Sequence, residues 1–362
     1  MTLNLTANLT LNLRDADVLR HHQKWSGAFL ACERFSQYRF CWLRDSSFMA
    51  YSLDLADLRT HSRAFHLWVA QTLAPLKEHF ETLLQRKNAG EQIPYTDMLP
   101  TRFGENGEWE QDGWPNFQLD GYGQWLWALS EHLRLSGETD LPEVYRDSVQ
   151  MVVSYLQHFW EMGCSDCWEE FHDHVHTATL ASIYGGLNSI SRFPSVAVNP
   201  EVPAQIKARI LTEHVKNGRL VKSNHLDGVD ASLLWVSTPF KVLDENDPIM
   251  QATVQEIENT LVRDGGVIRY DGDSYYGAGA WLLLTDWLGW YFAEAGDPEK
   301  AQKFFQWSEN QRTREGHLPE QVAVSSTDPA KLQEWNDLWG SSANPLLWSH
   351  AMHAVLLNRL KI

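Results

Sequence analysis

Apolar residues recur at three- and four-residue spacing along most of the chain, the pattern of amphipathic helices that turn one face to a core. Taken in order, it predicts helices over residues 15–32, from a segment capped by Ser46 to about residue 57, and over 61–87, where Asn88-Ala89-Gly90 ends the run. Further helices are predicted over 120–135, 142–160, 174–191, 200–215, 247–262, 279–295, 298–312 and 344–360, with a short segment at 230–236. The run Val267-Ile268-Arg269-Tyr270 is the one strand-like piece. Stretches 91–116, 163–173 and 315–335 have no period and are predicted loops, and long loops in compact domains usually carry function.

About twelve helices in consecutive pairs, with no fixed-length repeat and no Pro/Gly/Ser linker, predict an all-α protein. The arrangement that suits them is a closed double ring of helices forming one domain over residues 1–362. An open helical solenoid is the alternative, but it gives no reason for gathering aromatic and acidic loops on one side.

Composition narrows the functional classes. Apolar residues make up 43% of the chain, which excludes a disordered protein. The 30 basic and 47 acidic residues leave a formal charge of −17, a surface that repels nucleic acid and anionic lipid. No apolar run approaches the ~20 residues of a membrane span. The first thirteen residues lack the pattern of an export signal, so a cytoplasmic protein is expected. Four cysteines fit a reducing compartment, and Cys164 and Cys167, a CxxC without a second pair, read as buried thiols rather than metal ligands. Tryptophan is the outlier. Seventeen indoles exceed what core packing asks for, and their flat apolar faces suit the C–H faces of sugar rings.

The candidate chemistry lies at the segment junctions. Trp168-Glu169-Glu170 sets two acids behind an indole in a loop, where shielding and mutual repulsion favour a retained proton. Glu320, in Leu318-Pro319-Glu320-Gln321, is a third acid half a chain away. Trp42-Leu43-Arg44-Asp45-Ser46 pairs a guanidinium fork with a carboxylate, which could grip neighbouring sugar hydroxyls or simply form a helix-start salt bridge. Asp120 opens a helix as either N-cap or ligand, and Arg269 through Tyr276 to Trp281 mixes donors, acceptors and ring faces. His172 and His176 could meet one turn apart on a helix, but no third metal ligand stands in a fixed frame, and a polar loop or substrate contact is the reading.

In this order, Trp42 to Ser46, Asp166-Cys167-Trp168-Glu169-Glu170, Arg269-Tyr270 through Trp281, and Pro319-Glu320-Gln321 resemble glycoside hydrolase family 15, the glucoamylase-like inverting exo-α-glucosidases. The resemblance implies an (α/α)6 barrel with its active site in the loops at one end. It implies Glu169 as general acid, Glu320 as general base, and Trp42, Arg44, Asp45, Asp120, Trp168, Glu170, Arg269, Tyr276 and Trp281 as substrate contacts. Two carboxyls supply both proton transfers, so no cofactor and no metal is expected. The family's N-terminal β-rich domain and starch-binding module are not recognised in the sequence. A short saccharide is therefore the expected partner, with isomaltose and other α-1,6 glucosides ahead of α-1,4 glucosides and trehalose. Two readings from other classes are a sugar epimerase using histidines and a non-catalytic sugar-binding protein; the oligomeric state is not legible.

Overall fold

The computed structural model describes residues 5–109, 113–324 and 326–360, and it is built almost wholly of helices. In chain order these are α1 (Leu5–His22), α2 (Leu43–Leu55), α3 (Arg59–Leu73), α4 (Lys77–Asn88), α5 (Asp120–Leu135), α6 (Glu143–Phe159) and α7 (Thr177–Ile190). They continue with α8 (Glu201–Glu213), α9 (Pro248–Leu261), α10 (Leu282–Glu294), α11 (Pro298–Glu309), α12 (Pro329–Trp339) and α13 (Leu347–Arg359).

Six segments close an inner ring: α2 packs on α5, α5 on α7, α7 on the 3-10 segment Ala231–Val236, that segment on α10, α10 on α13, and α13 on α2. Helices α1, α3, α6, α8, α9 and α11 form an outer layer against them. This is the double ring expected from the sequence. The inner helices carry the uniform apolar character of elements buried on all sides: every residue of α10 from Leu282 to Phe292 is buried, as is every residue of α13 from Leu347 to Leu357. The inner helices α5 and α7 approach unusually closely. A Cβ on Gly123 would lie 2.4 Å from the Ser182 carbonyl oxygen, and one on Gly186 would lie 2.2 Å from that of Gly123. Only glycine fits these two positions.

Several boundaries differ from expectation, each for a local reason. Helix α1 stops at His22, because the chain turns at Gly27 (φ +104°), where a Cβ would strike the Ala64 carbonyl oxygen at 2.4 Å. The predicted helix over 61–87 is two helices. Pro75, in the 3-10 turn Ala74–Leu76, lacks the amide that would continue α3 into α4. Ser46 is not a cap: α2 begins at Leu43, and the buried Ser46 hydroxyl bonds the Phe29 carbonyl instead. Residues 172–174 form a turn and His176 is extended before α7 begins at Thr177, so His172 and His176 do not share a helix. Helix α12 lies where a loop was expected, started by the Asp328 carboxylate, which accepts from the Lys331 amide, and by Pro329. Loop 91–116 holds the two-residue strand Arg102–Phe103, paired with Cys41–Trp42; its residues 110–112, like the ends of the expected 1–362 domain, lie outside the described residues.

A small antiparallel sheet stands at one end of the ring, in the order Val262–Arg263, Gly266–Val267, Ala280–Trp281, Gln321–Val322. It takes the strand expected over 267–270 at its first residue, and it delays α10 to Leu282. Trp281 faces Gln321 in register, which brings Glu320 alongside Trp281 although the two lie far apart in the chain.

Candidate active site

At the N-terminal end of the inner ring lies a cavity of about 270 Å³. The first turns of α2 and α13 deliver Trp42, Arg44 and Asp45 on one side and Leu346 and Trp348 on the other. The sheet delivers Trp281 and Glu320, the 163–173 loop delivers Cys167, Trp168 and Glu169, and Arg269 enters beside the sheet. Of the eleven site residues expected, eight line this cavity: Trp42, Arg44, Asp45, Trp168, Glu169, Arg269, Trp281 and Glu320.

The other three stand behind or beside it. Asp120, fully buried at the start of α5, receives Arg44 Nη1 at 3.3 Å. Glu170 receives the Tyr270 hydroxyl at 2.6 Å and lies 3.4 Å from Arg269 Nη2, so it braces a lining residue. Tyr276 does not line the cavity; its ring meets the edge of Trp335, and Tyr275 takes the lining position. In a 3-10 turn, adjacent residues point in different directions, and residue order does not say which one faces inward.

Glu169 occupies a strained backbone position, φ +61°, where a side chain is disfavoured by contact with its own backbone. Asp166 holds it there. One carboxylate oxygen, Oδ1, accepts from the amides of Trp168 and Glu170, both at 2.9 Å, and the Asp166 carbonyl accepts from the Glu169 amide at 3.0 Å. Buried Lys222 then ties this turn to the next inner-ring segment, lying 3.1 Å from Asp166 Oδ2 and 2.8 Å from Asp230 Oδ2. Asp230 also receives the Trp168 indole N–H at 3.0 Å. The sequence reading missed Lys222 and Asp230. A lone lysine in a polar stretch gives no local signal of burial.

Arg44 is the hub on the other wall. Its Nη2 donates to Glu169 Oε1 at 2.8 Å and its Nη1 to Gln118 Oε1 at 2.8 Å, while Nε lies 3.4 Å from Asp45. Gln118 donates to the same Glu169 oxygen at 3.3 Å, so both contacts fall on Oε1. Arg269 is fixed by a two-pronged grip on Asp273 (2.8 and 2.6 Å) and packs against the rings of Trp168, Tyr275 and Trp281.

Burial, more than pairing, sets the electrostatics. It pushes Glu320 up to about 7, against the hydrogen bonds of Tyr38 and Gln321 and the field of Arg269. It pushes Asp45 up to about 7 as well, opposed by Arg44 and aided by Glu169 and Asp120. Glu170 is raised for the same reason, with Arg269 opposing. The shielding that the sequence suggested for the acid beside Trp168 thus falls on Glu320: it is 2% exposed, whereas the Glu169 side chain keeps 20% of its surface. Tyr38, which bonds Tyr275 hydroxyl to hydroxyl at 2.6 Å, and Trp114 also line the cavity and were missed. Trp114 lies in the loop expected to be functional; Tyr38 had no such signal.

The four cysteines are buried and unpaired, as expected. His176 Nε2 contacts the Cys164 and Phe171 carbonyls, and His172 Nδ1 the Ser165 hydroxyl, so this histidine run stitches the loop together. Among the described residues, no helix is long and apolar enough to cross a membrane.

Residues 7–301 match the model of glycosyl hydrolases family 15. Across 95% of its length the chain is 38% identical to an isomaltose glucohydrolase of Kribbella flavida, covering 90% of that protein. It is 27% identical to trehalase 1 of Sulfolobus acidocaldarius over 74% of its length, and covers 48% of that enzyme. Its backbone superposes on a glycosidase variant solved with glucose at a TM-score of 0.94, with 35% identity and 99% of both chains covered. A bacterial glucoamylase solved with acarbose shares the fold at a TM-score of 0.71 and 18% identity, over 96% of this chain and 55% of that one.

Proposed function

The chain belongs to glycosyl hydrolases family 15 and is a glycoside hydrolase; on that premise we propose that it is an inverting exo-α-glucosidase, its 1–362 span a single catalytic domain. It releases β-glucose from the non-reducing end of short α-glucosides, isomaltose and isomalto-oligosaccharides first. The observation that carries this is the meeting of Glu169 and Glu320, half a chain apart, in one indole-walled cavity. That cavity falls just below the roughly 300–1,000 Å³ of pockets for drug-sized ligands, which suits the end of a saccharide better than a passing polymer.

In this reading Glu169 protonates the glycosidic oxygen, using Oε2, since Oε1 is committed to Arg44 and Gln118. Glu320 takes a proton from water attacking the opposite face of the sugar, and inversion follows because that attack is a single displacement. A base tuned near 7 accepts that proton better than an ordinary carboxylate. Arg44 and Asp45 hold hydroxyls of the terminal ring, while Trp42, Trp168 and Trp281 cover its apolar faces. Asp120, Glu170 and Arg269 fix that wall. The strained Glu169 turn, braced by Asp166 and Lys222, keeps the acid in place before substrate arrives. The sequence suggests a cytoplasmic enzyme.

The α-1,6 preference rests on the similarity to the isomaltose glucohydrolase. The trehalases among the relatives make trehalose the main competing substrate. Proton NMR of fresh product decides the stereochemistry: β-glucose appears first, and α-glucose first would overturn inversion. Relative kcat/KM for isomaltose, maltose and trehalose decides the linkage, with isomaltose the highest.

A further inference from the structure

The opposite end of the inner ring holds a second cluster, which the hydrolase chemistry does not use. Asp54 lies in the last turn of α2, His132 in the last turn of α5, and His66 on α3 between them. Asp54 is nine residues beyond Asp45 on the same helix, about 14 Å along the axis at ~1.5 Å per residue. All three side chains are buried, His66 completely.

Asp54 is held on both oxygens, by His132 Nδ1 at 2.8 Å and by the Ser62 hydroxyl at 2.7 Å. His66 is different. Neither of its ring nitrogens has a hydrogen-bond partner, although the ring stands 5.1 Å from that of His132. A buried polar group left without a partner is costly, so a fully buried imidazole with two such atoms implies something that fills the gap. One donor atom from each of the three residues lies within 4.8 Å of the other two.

We propose that Asp54, His66 and His132 form a binding site for one divalent transition-metal ion that clamps α2, α3 and α5 together away from the active site. Two imidazoles and a carboxylate are the donor set of zinc, with a water as fourth ligand. Metal–ligand bonds of ~2.0–2.2 Å require the cluster to contract by about an ångström, a shift within reach of side-chain rotation. Ser62 then orients the carboxylate from behind. A surface cavity lined by Arg63, His132 and Tyr145 touches the cluster and gives an ion a way in. The site is structural, and the glucosidase reaction needs none of it.

Zinc itself is the probe. Protein stripped by a chelator and dialysed against micromolar zinc retains one equivalent by elemental analysis, and its thermal midpoint rises by several degrees. His66→Gln loses that equivalent and the rise. Replacing His172, His174 and His225 by alanine, which removes a partly exposed imidazole group elsewhere, leaves both unchanged. Should the His66 variant fail to fold, cobalt(II) added to the stripped wild-type protein gives visible d–d absorption that zinc abolishes. Zinc uptake that disappears with the His172 group, or a featureless cobalt spectrum, overturns the proposal. So does stripped protein that takes up no zinc, which would leave a buried water as the partner of His66.

Discussion

Two buried charge clusters in this molecule are built in opposite ways. Where α1, α10, α11 and α13 meet, acids and bases are matched. Arg312 grips Asp15 with two hydrogen bonds of 2.8 and 2.7 Å, His350 adds a third at 2.7 Å, and His353 lies between Asp286 and Glu309 at 3.2 and 3.0 Å. There the opposing charges overcome burial at three groups: Asp15 falls well below the ordinary carboxylate range, Glu309 falls to about 2, and His353 rises to about 9, while burial still raises Asp286 and lowers His350. Around the sugar cavity the acids outnumber their cations, burial prevails, and Asp45 and Glu320 rise to about 7. The matched cluster holds Asp15, Glu309 and His353 in their charged forms. The unmatched one leaves carboxyls that can gain and lose protons near neutrality, which is what acid/base catalysis requires.

The contrast is broken most directly by substitution on each side. Glu169→Gln and Glu320→Gln should each lower kcat on isomaltose by roughly 10²–10⁴-fold, the usual worth of a general acid or base, with the circular-dichroism melt unchanged or raised. His353→Leu should do the reverse. Stranding buried Asp286, while Glu309 keeps Arg14 and Arg312, should cost about 3–5 kcal/mol of stability by denaturant titration, while kcat of the folded protein stays near wild type. A Glu320→Gln enzyme of full activity would remove Glu320 from the reaction.

Next in size come the pH profiles. If Glu320 is the base, kcat/KM should climb as pH rises through about 7, and a limb at the ordinary glutamate value near 4.5 would contradict the assignment. Stability should respond to pH in a separate window for each shifted group. The raised Glu320 favours the fold below 4.5, and that contribution is lost as pH rises through about 7. His353 contributes fully below 6.5 and loses its share as pH rises through about 9. Glu309 contributes above 4.5 and loses its share as pH falls through about 2. Melting temperatures from pH 2 to 10 should therefore show Glu320→Gln flattening the decline between 4.5 and 7, and the His353 variant flattening the decline between 6.5 and 9.

The smallest effect should follow from Tyr38→Phe. The lost hydroxyl no longer bonds the Glu320 carboxylate, so the acid limb of kcat/KM should shift to higher pH. An unmoved limb would mean that Tyr38 serves the sugar rather than the base.

The sequence by itself determined the helical class, the pairing of helices into a double ring and the segments that meet at the cavity. Those follow from periodicity, which is local, and from motifs whose order is written in the chain. It placed eight of eleven expected site residues on the cavity wall. What it could not supply was anything set by contact across the ring. Helix α12 was not picked out, although Leu332, Trp335 and Trp339 recur at three- and four-residue spacing, because it is short and follows directly on an aperiodic polar stretch. Lys222 and Asp230 gain their role from Asp166 and Trp168, which approach them only once α7 and its neighbours pack. The choice of Tyr275 over Tyr276 depends on how one tight turn is seated. Above all, tertiary structure decided which acid is buried. An indole next in sequence does not enclose Glu169, which meets Arg44 and partial solvent, whereas Glu320, with no indole beside it in sequence, is enclosed by packing that residue order does not record.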